Sequence, residues 1–69
     1  MMGALLHNTF YTAEAAAAEV GVDVDLLARA FRAAIAGDRR LPVAYYADET
    51  RPALRGQDVM PLVKRIQGK

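Results

Sequence analysis

Residues 12–37 read TAEAAAAEVGVDVDLLARAFRAAIAG, and this stretch holds two predicted helices separated by the three-residue step Gly21-Val22-Asp23. Thr12 is a favoured N-cap residue, and the alanine-rich segment after it contains no helix-breaking residue before Gly21. Glycine readily adopts the left-handed conformation of a helix C-cap. The first helix is therefore predicted to begin at Thr12 and to end at Gly21.

The second predicted helix follows a short step in the chain. It runs from about Val24 to Ala36 and stops at Gly37, and either Asp23 or Asp25 is a suitable N-cap. Two helices joined by a tight, glycine-containing turn form the helix-turn-helix unit with which many proteins read DNA.

The periodicity of the second helix separates two faces. Large apolar residues recur at helical spacing, which predicts a buried stripe. The stripe consists of Val24, Leu27, Phe31 and Ile35. Arg29 and Arg32 lie three positions apart on a different face. The helix is therefore predicted to bury one side and to expose two arginines on another.

A β-hairpin and a last helix are predicted in the C-terminal half. Residues 43–47 favour a strand, residues 48–52 have turn character, and residues 53–55 return as a second strand. Asp58 is the predicted N-cap of the last helix, with Pro61 in its first turn. The helical spacing of apolar residues there predicts a second buried stripe of Val59, Leu62, Val63 and Ile66.

The order of these elements defines a fold class. A helix, a short turn, a second helix, a two-stranded hairpin and a C-terminal helix give a small, mostly helical α+β fold, a winged helix-turn-helix in which the hairpin is the wing. The predicted domain covers residues 11–67, and residues 1–10 are predicted to form a flexible tail. The side chains expected to be buried together are Leu27, Phe31, Leu54 and Leu62.

Three short motifs follow one another along the chain. They are Thr12-x-x-x-Ala16-Ala17-x-x-Val20-Gly21-Val22, then Leu41-Pro42-Val43, then Leu54-x-x-x-Asp58-Val59-x-x-Leu62-Val63. In this order they resemble the T-x-x-E-A-A-x-x-L-G-V opening, the L-P-A before the wing and the closing I-x-x-x-D-L-x-x-F-L of phage excisionases and related MerR-like winged-helix proteins. The resemblance covers residues 11–66 and depends on the order and spacing of the motifs.

The sequence departs from that family pattern at three places. Ala15 stands where the family has Glu, so the reciprocal capping box is absent. The segment 27–37 is about one helical turn longer than in the family. Asp48 and Glu49 lie in the turn of the wing, where DNA phosphates repel them. The last departure weakens the case for wing contact more than the case for helix contact.

The resemblance implies a second helix laid in the major groove and a wing that touches an adjacent minor groove or phosphates. It implies sequence-specific binding to double-stranded DNA, most directly as an excisionase that binds cooperatively, bends DNA and steers an integrase toward excision. An integrase and further copies of the chain on tandem sites are then the expected partners. Family members of this size have no catalytic activity of their own.

Two other interpretations remain open. One is a small MerR-like transcription regulator of the same fold. The other is a protein-interaction or virion-assembly module that has the fold but does not bind DNA, which the near-neutral net charge and the acidic wing favour.

Charge is unevenly distributed although the net charge is only +1. Residues 1–28 contain four acidic residues and no Lys or Arg, whereas residues 29–69 contain all nine basic residues and four acidic ones. This distribution suggests a basic face in the second half of the chain, and an uneven solvated surface is the alternative.

Seven side chains are candidate DNA ligands. Arg29 and Arg32 are placed to read guanine edges from a helix in the major groove, and the alternative is a surface ion pair, for Arg29 with Asp25. The others are predicted phosphate ligands or ordinary surface groups, with Tyr46 expected to pack inward. The full set is Arg29, Arg32, Arg39, Arg40, Tyr45, Arg51 and Arg55.

No catalytic site, metal site or cofactor is predicted, and the chain is not expected to be an enzyme. His7 is the single histidine and lies in the predicted tail, and the chain has no cysteine. Asp23 and Asp25 are better explained as helix-capping acids than as an acid–base pair. The apolar opening lacks the basic region of a signal peptide, and no run is long enough for a membrane span. A cytoplasmic location without membrane contact is therefore expected.

Overall fold

The computed structural model describes residues 5–46 and 51–68 of the chain. These residues form three helices and a three-stranded antiparallel sheet of order β1-β3-β2. In chain order the elements are β1 (Phe10–Thr12), α1 (Ala13–Val20), α2 (Val24–Gly37), β2 (Val43–Tyr46), β3 (Arg51–Arg55) and α3 (Gly56–Gln67). The predicted α+β class is confirmed, and β1 is an additional strand that the sequence did not predict.

The N-caps predicted for the first two helices and the Gly21 C-cap of α1 are confirmed, whereas α2 continues through Gly37 and has Asp38 as its C-cap. The Thr12 hydroxyl accepts a hydrogen bond from the Ala15 N–H at 3.1 Å, and Gly21 has a φ of 75°, in the left-handed region. The Asp23 carboxylate accepts from the Leu26 N–H at 3.3 Å, so Asp23 rather than Asp25 caps α2. These contacts satisfy backbone groups that a helix end leaves without partners.

The sheet is built around β3. Leu54 lies opposite Tyr11 of β1 on one side and opposite Val43 of β2 on the other. The predicted hairpin is present, with β3 starting at Arg51 rather than at residue 53. Residues 47–50, which include the predicted turn acids, lie outside the described residues.

The core lies between the three helices and one face of the sheet. Leu27, Phe31, Leu54 and Leu62 share a single buried cluster, as predicted. Ile35 and Ile66 are partly buried at its edge. Val24 is the exception in the predicted stripe: it is 38% exposed, because it is the first residue of α2 and lies beyond the core.

The third helix begins three residues earlier than predicted. Its first residue is Gly56, and Arg55 occupies the N-cap position without a capping side-chain hydrogen bond. The predicted N-cap, Asp58, lies in the first turn and pairs with Arg55 instead. Pro61 is consequently inside the helix rather than in its first turn. The prediction was wrong because it assumed a side-chain cap.

Backbone carbonyls of the N-terminal segment supply that missing cap. The N–H of Gly56 donates to the Thr9 carbonyl at 2.9 Å, and the N–H of Gln57 donates to the His7 carbonyl at 3.3 Å. Leu5 is buried in the core cluster. Residues 5–10 therefore pack as part of the domain, whereas the sequence predicted a flexible tail over 1–10; residues 1–4 lie outside the described residues.

Candidate nucleic-acid interface

The outward face of α2 carries both arginines predicted to read DNA. Asp25, Arg29, Arg32 and Ala36 recur at helical spacing and are all exposed. They lie on the side opposite Leu27 and Phe31, which are 0% and 1% exposed. The burial of one face thus fixes which side of α2 is presented to a partner.

Within the part of the chain that the structure describes, neither of these arginines pairs with an acid. The ion pairs found in residues 5–46 and 51–68 join Arg51 to Glu14 and Arg55 to Asp58. The alternative assignment of Arg29, a surface pair with Asp25, is not among them. The guanidinium groups of Arg29 and Arg32 are therefore open to solvent and to a ligand, as far as the described residues go.

A cleft beside this face lies between α2 and the hairpin. It has a volume of about 260 Å³ and lies between the start of α1, the first half of α2 and the start of β3. The charged groups that line it within the described residues are two carboxylates and two guanidiniums, those of Glu14, Asp25, Arg32 and Arg51. Two candidate DNA ligands that are distant in sequence, Arg32 and Arg51, thus line one cleft.

An ion pair spans the rim of the cleft. Nη1 of Arg51 lies 3.4 Å from Oε1 of Glu14, and these side chains are 52% and 65% exposed. Glu14 is in the first turn of α1, where the helix dipole stabilises a carboxylate. The pair therefore connects the first helix to the hairpin without being buried.

Tyr45 is exposed on the hairpin, near the same cleft. It pairs in register with Pro52, which lines the cleft, and the residue is 53% exposed. Alternation along β2 puts Tyr45 on the same sheet face as Val43, which packs against the core. Its hydroxyl is thus available on the helix-bearing side of the sheet. Only the backbone of Tyr46 is described, so the inward packing predicted for it is not tested.

The two loop arginines lie at the far end of α2. Arg39 and Arg40 are exposed in the turn after the helix, about two helical turns beyond Arg32. The N–H of Arg40 donates to Oδ1 of Asp38 at 3.0 Å, which orders this turn. Their charge therefore lies apart from the cleft and lengthens the basic surface along the helix axis.

Arg55 differs from the other candidates. Its Nε donates to Oδ2 of Asp58 at 3.1 Å, and the two side chains are 31% and 21% exposed. The Nε side of the guanidinium is thereby paired at the junction of β3 and α3. Arg55 has a structural partner that the sequence analysis did not assign to it.

Glu14 is the cleft residue that sequence reasoning missed. The residue it contacts, Arg51, is 37 positions away. No local pattern connects the two; only the pairing of β1 with β3 brings them together. The described residues contain no cluster of three or more His, Asp or Glu side chains that could hold a metal ion. They also contain no helix long and apolar enough to cross a membrane.

Comparison with protein-family models, with curated proteins and with solved structures finds no match to this chain. The functional assignment therefore depends on the geometry described above and on the motif resemblance in the sequence.

Proposed function

We propose that this chain is a sequence-specific double-stranded DNA-binding protein of the winged helix-turn-helix type, and that it binds rather than catalyses. In this assignment α1 and α2 are the helix-turn-helix, α2 is the recognition helix, and the β2–β3 hairpin is the wing. One observation carries the proposal: Arg29 and Arg32 project from the exposed face of α2 beside a cleft that Arg51 of the hairpin also lines.

The chemistry of those side chains fits the major groove. The groove is about 12 Å wide and admits a helix, and a guanidinium makes a bidentate contact with O6 and N7 of guanine. Arg32 is the principal base-reading residue in the proposal, with Arg29 beside it. Arg39, Arg40 and Arg51 contact phosphates, which position the protein without reading sequence. The Tyr45 hydroxyl donates a hydrogen bond to a phosphate oxygen.

The positions of the basic residues along the two helices support α2 rather than α3 as the reading helix. The basic residues of α3, Lys64 and Arg65, are in its last turn, where they complement the helix dipole. Arg29 and Arg32 occupy the middle of α2, with small alanines at several neighbouring positions. A helix face of this kind allows close approach to base edges.

The recombination role is the more specific part of the proposal and depends on the motif resemblance. As an excisionase, the protein would bind tandem sites, bend DNA and direct an integrase toward excision. A regulator of the same fold would bind DNA but leave recombination unchanged, so a recombination assay with a purified integrase separates the two. A protein-interaction module is the competing class, and the two acids in the cleft, Glu14 and Asp25, favour it over strong nonspecific DNA binding.

DNA binding is tested by fluorescence anisotropy with labelled duplexes of about 20 base pairs, roughly two turns of B-DNA. The wild-type chain is expected to bind with an affinity that falls as salt rises. Arg32→Ala is expected to weaken binding, whereas Arg65→Ala removes the same charge from α3 and serves as the matched control. No wild-type binding at low salt, or equal losses in the two variants, would contradict the proposal.

A further inference from the structure

The contact between Glu14 and Arg51 is the longest-range ion pair among the described residues. It connects the first turn of α1 to the first residue of β3, across 37 positions of sequence. In the proposed function these are the helix-turn-helix and the wing. The pair therefore joins the two parts that must approach DNA together.

The pair is not placed to stabilise the fold. Both side chains are more than half exposed, and exposed ion pairs contribute little to stability because water screens them and ordering costs entropy. A phosphate competes well for the same guanidinium, since arginine binds phosphate through two parallel hydrogen bonds. The contact is thus one that DNA can replace.

The charge of the cleft depends on Glu14. Among the described residues, the lining with Glu14 contains two carboxylates and two guanidiniums and is balanced; without Glu14, one of these positive charges is uncompensated. A balanced cleft attracts phosphates weakly, because the sequence-independent part of DNA affinity comes from net positive charge near the backbone.

We propose that Glu14 is a positioning and specificity-determining residue. In the free protein Glu14 holds Arg51 at the rim of the cleft. Its carboxylate neutralises the Arg51 guanidinium, so that DNA whose sequence α2 does not recognise is attracted less strongly. In the specific complex, base contacts of α2 bring the protein close to the DNA. A phosphate then takes the place of the Glu14 carboxylate as the ion-pair partner of Arg51. Glu14 thereby lowers nonspecific affinity more than specific affinity. This inference rests on the proposed function, because it requires that DNA approach α2 and the hairpin.

The test compares Glu14→Gln with Glu19→Gln. Both remove one negative charge from α1 with little change of shape; the Glu19 side chain is exposed and does not line the cleft. Two duplexes are used: a mixed-sequence duplex, and the tightest-binding duplex selected by the wild-type chain from a random library. Each is titrated over a range of salt concentrations.

Glu14→Gln is expected to bind the mixed-sequence duplex roughly three- to ten-fold more tightly, with a salt slope steeper by about one. The ratio of specific to nonspecific affinity should fall, whereas Glu19→Gln should change either affinity by less than about two-fold. The same substitution in an Arg51→Gln background should have no further effect, because the guanidinium that Glu14 holds is absent.

Three results overturn the inference. Equal behaviour of Glu14→Gln and Glu19→Gln, while the wild-type chain binds DNA, removes the role of Glu14 and leaves the proposed function intact. A Glu14→Gln effect that persists in the Arg51→Gln background shows that the carboxylate acts as a free charge and not through Arg51. Absence of wild-type binding to either duplex overturns the proposed function and this inference together.

Discussion

The backbone carbonyl of Leu6 lies directly over the α-carbon of Gly56, so that a β-carbon on Gly56 would collide with the carbonyl oxygen and approach the carbonyl carbon to 2.8 Å. Gly56 is buried and is the first residue of α3. The contact lets the N-terminal segment lie against the helix end and place its carbonyls on the Gly56 and Gln57 N–H groups. Glycine at this position is required for space and not for an unusual backbone angle.

Gly56→Ala is therefore expected to destabilise the protein by about 1–3 kcal/mol, the usual cost of overpacking a site whose neighbour is backbone and cannot rotate away. The free energy of unfolding is measured by urea denaturation monitored by circular dichroism. Gly37→Ala is the matched control, because a β-carbon there meets nothing within 4 Å. It is the last residue of α2, and replacing a helical glycine is expected to leave stability unchanged or raise it by up to about 1 kcal/mol. Equal stability of the two variants would show that the segment does not press on α3.

The helix ends show which parts of the fold could be predicted from the sequence and which could not. Thr12, Gly21 and Asp23 act on neighbouring residues, so their capping roles were predictable from local preference. The start of α3 was not, since its N–H groups bond to carbonyls about 50 residues earlier in the chain. The strand β1 has three residues, too few to show alternation, and exists because β3 offers it a partner.

Phe31 is expected to be the most costly single truncation in the core. It is 1% exposed and packs between the helices and the sheet, and Phe→Ala at such positions costs about 3–5 kcal/mol. A domain of this size has little more total stability than that, so Phe31→Ala is expected to be largely unfolded at 25 °C. Arg29→Ala, on the exposed side of the same helix, is the control and should keep the wild-type melting curve. An unchanged curve for Phe31→Ala would show that the core is wrongly assigned.

Arg55 is expected to act in stability rather than in DNA binding. Removing its contact with Asp58 by Arg55→Gln or Asp58→Asn should cost about 0.5–1 kcal/mol in either variant, because the pair is only partly shielded from solvent. The affinity of Arg55→Gln for a duplex should stay within about two-fold of wild type when it is measured well below the melting temperature. A loss of affinity as large as that of Arg32→Ala, with stability unchanged, would show that Arg55 contacts DNA.

The candidate site was predictable from the sequence only where it depends on one helix and not on how distant elements pack. The periodicity of α2 gave the exposed face with Arg29 and Arg32, because burial of Leu27 and Phe31 fixes the rotation of the helix. The cleft between α2 and the hairpin was not predictable, since it depends on how β3 is held beside α1. Pairing of Arg51 with Glu14 and of Arg55 with Asp58 likewise depends on tertiary placement.

Alanine substitutions of Arg32 and of the loop arginines, Arg39 and Arg40, are expected to affect DNA binding in different ways. Arg32→Ala should reduce discrimination between the selected duplex and a mixed-sequence duplex by about 1–3 kcal/mol, as for loss of a bidentate guanine contact. Arg39→Ala and Arg40→Ala should weaken binding to both duplexes about equally and flatten the salt dependence, because phosphate contacts carry no sequence information. Anisotropy titrations at several salt concentrations measure both quantities. Equal, salt-insensitive losses in all three variants would argue against reading by α2.

The last prediction is that the protein is a monomer in free solution and binds cooperatively to DNA that contains several sites. The net charge is only +1, and the charge of Arg51 is compensated by Glu14, so few phosphates are neutralised by one copy. A single module of this kind buries about 600–1,000 Å² on DNA, which gives modest affinity. Neighbouring copies raise one another's effective concentration on tandem sites, and occupancy then rises with the number of sites.

The distribution of charge indicates how such copies would meet. The N-terminal end of α2 is acidic, with Asp23 and Asp25 exposed, whereas the turn after α2 carries Arg39 and Arg40 and the last turn of α3 carries Lys64. Contact between unlike surfaces is head-to-tail and continues along the DNA instead of closing into a dimer. Sedimentation without DNA and gel shifts on one-site and two-site duplexes measure the two halves of the prediction. A stable dimer in the absence of DNA would contradict it, and so would equal affinity per site on both duplexes, because either result means that binding of one copy does not assist the next.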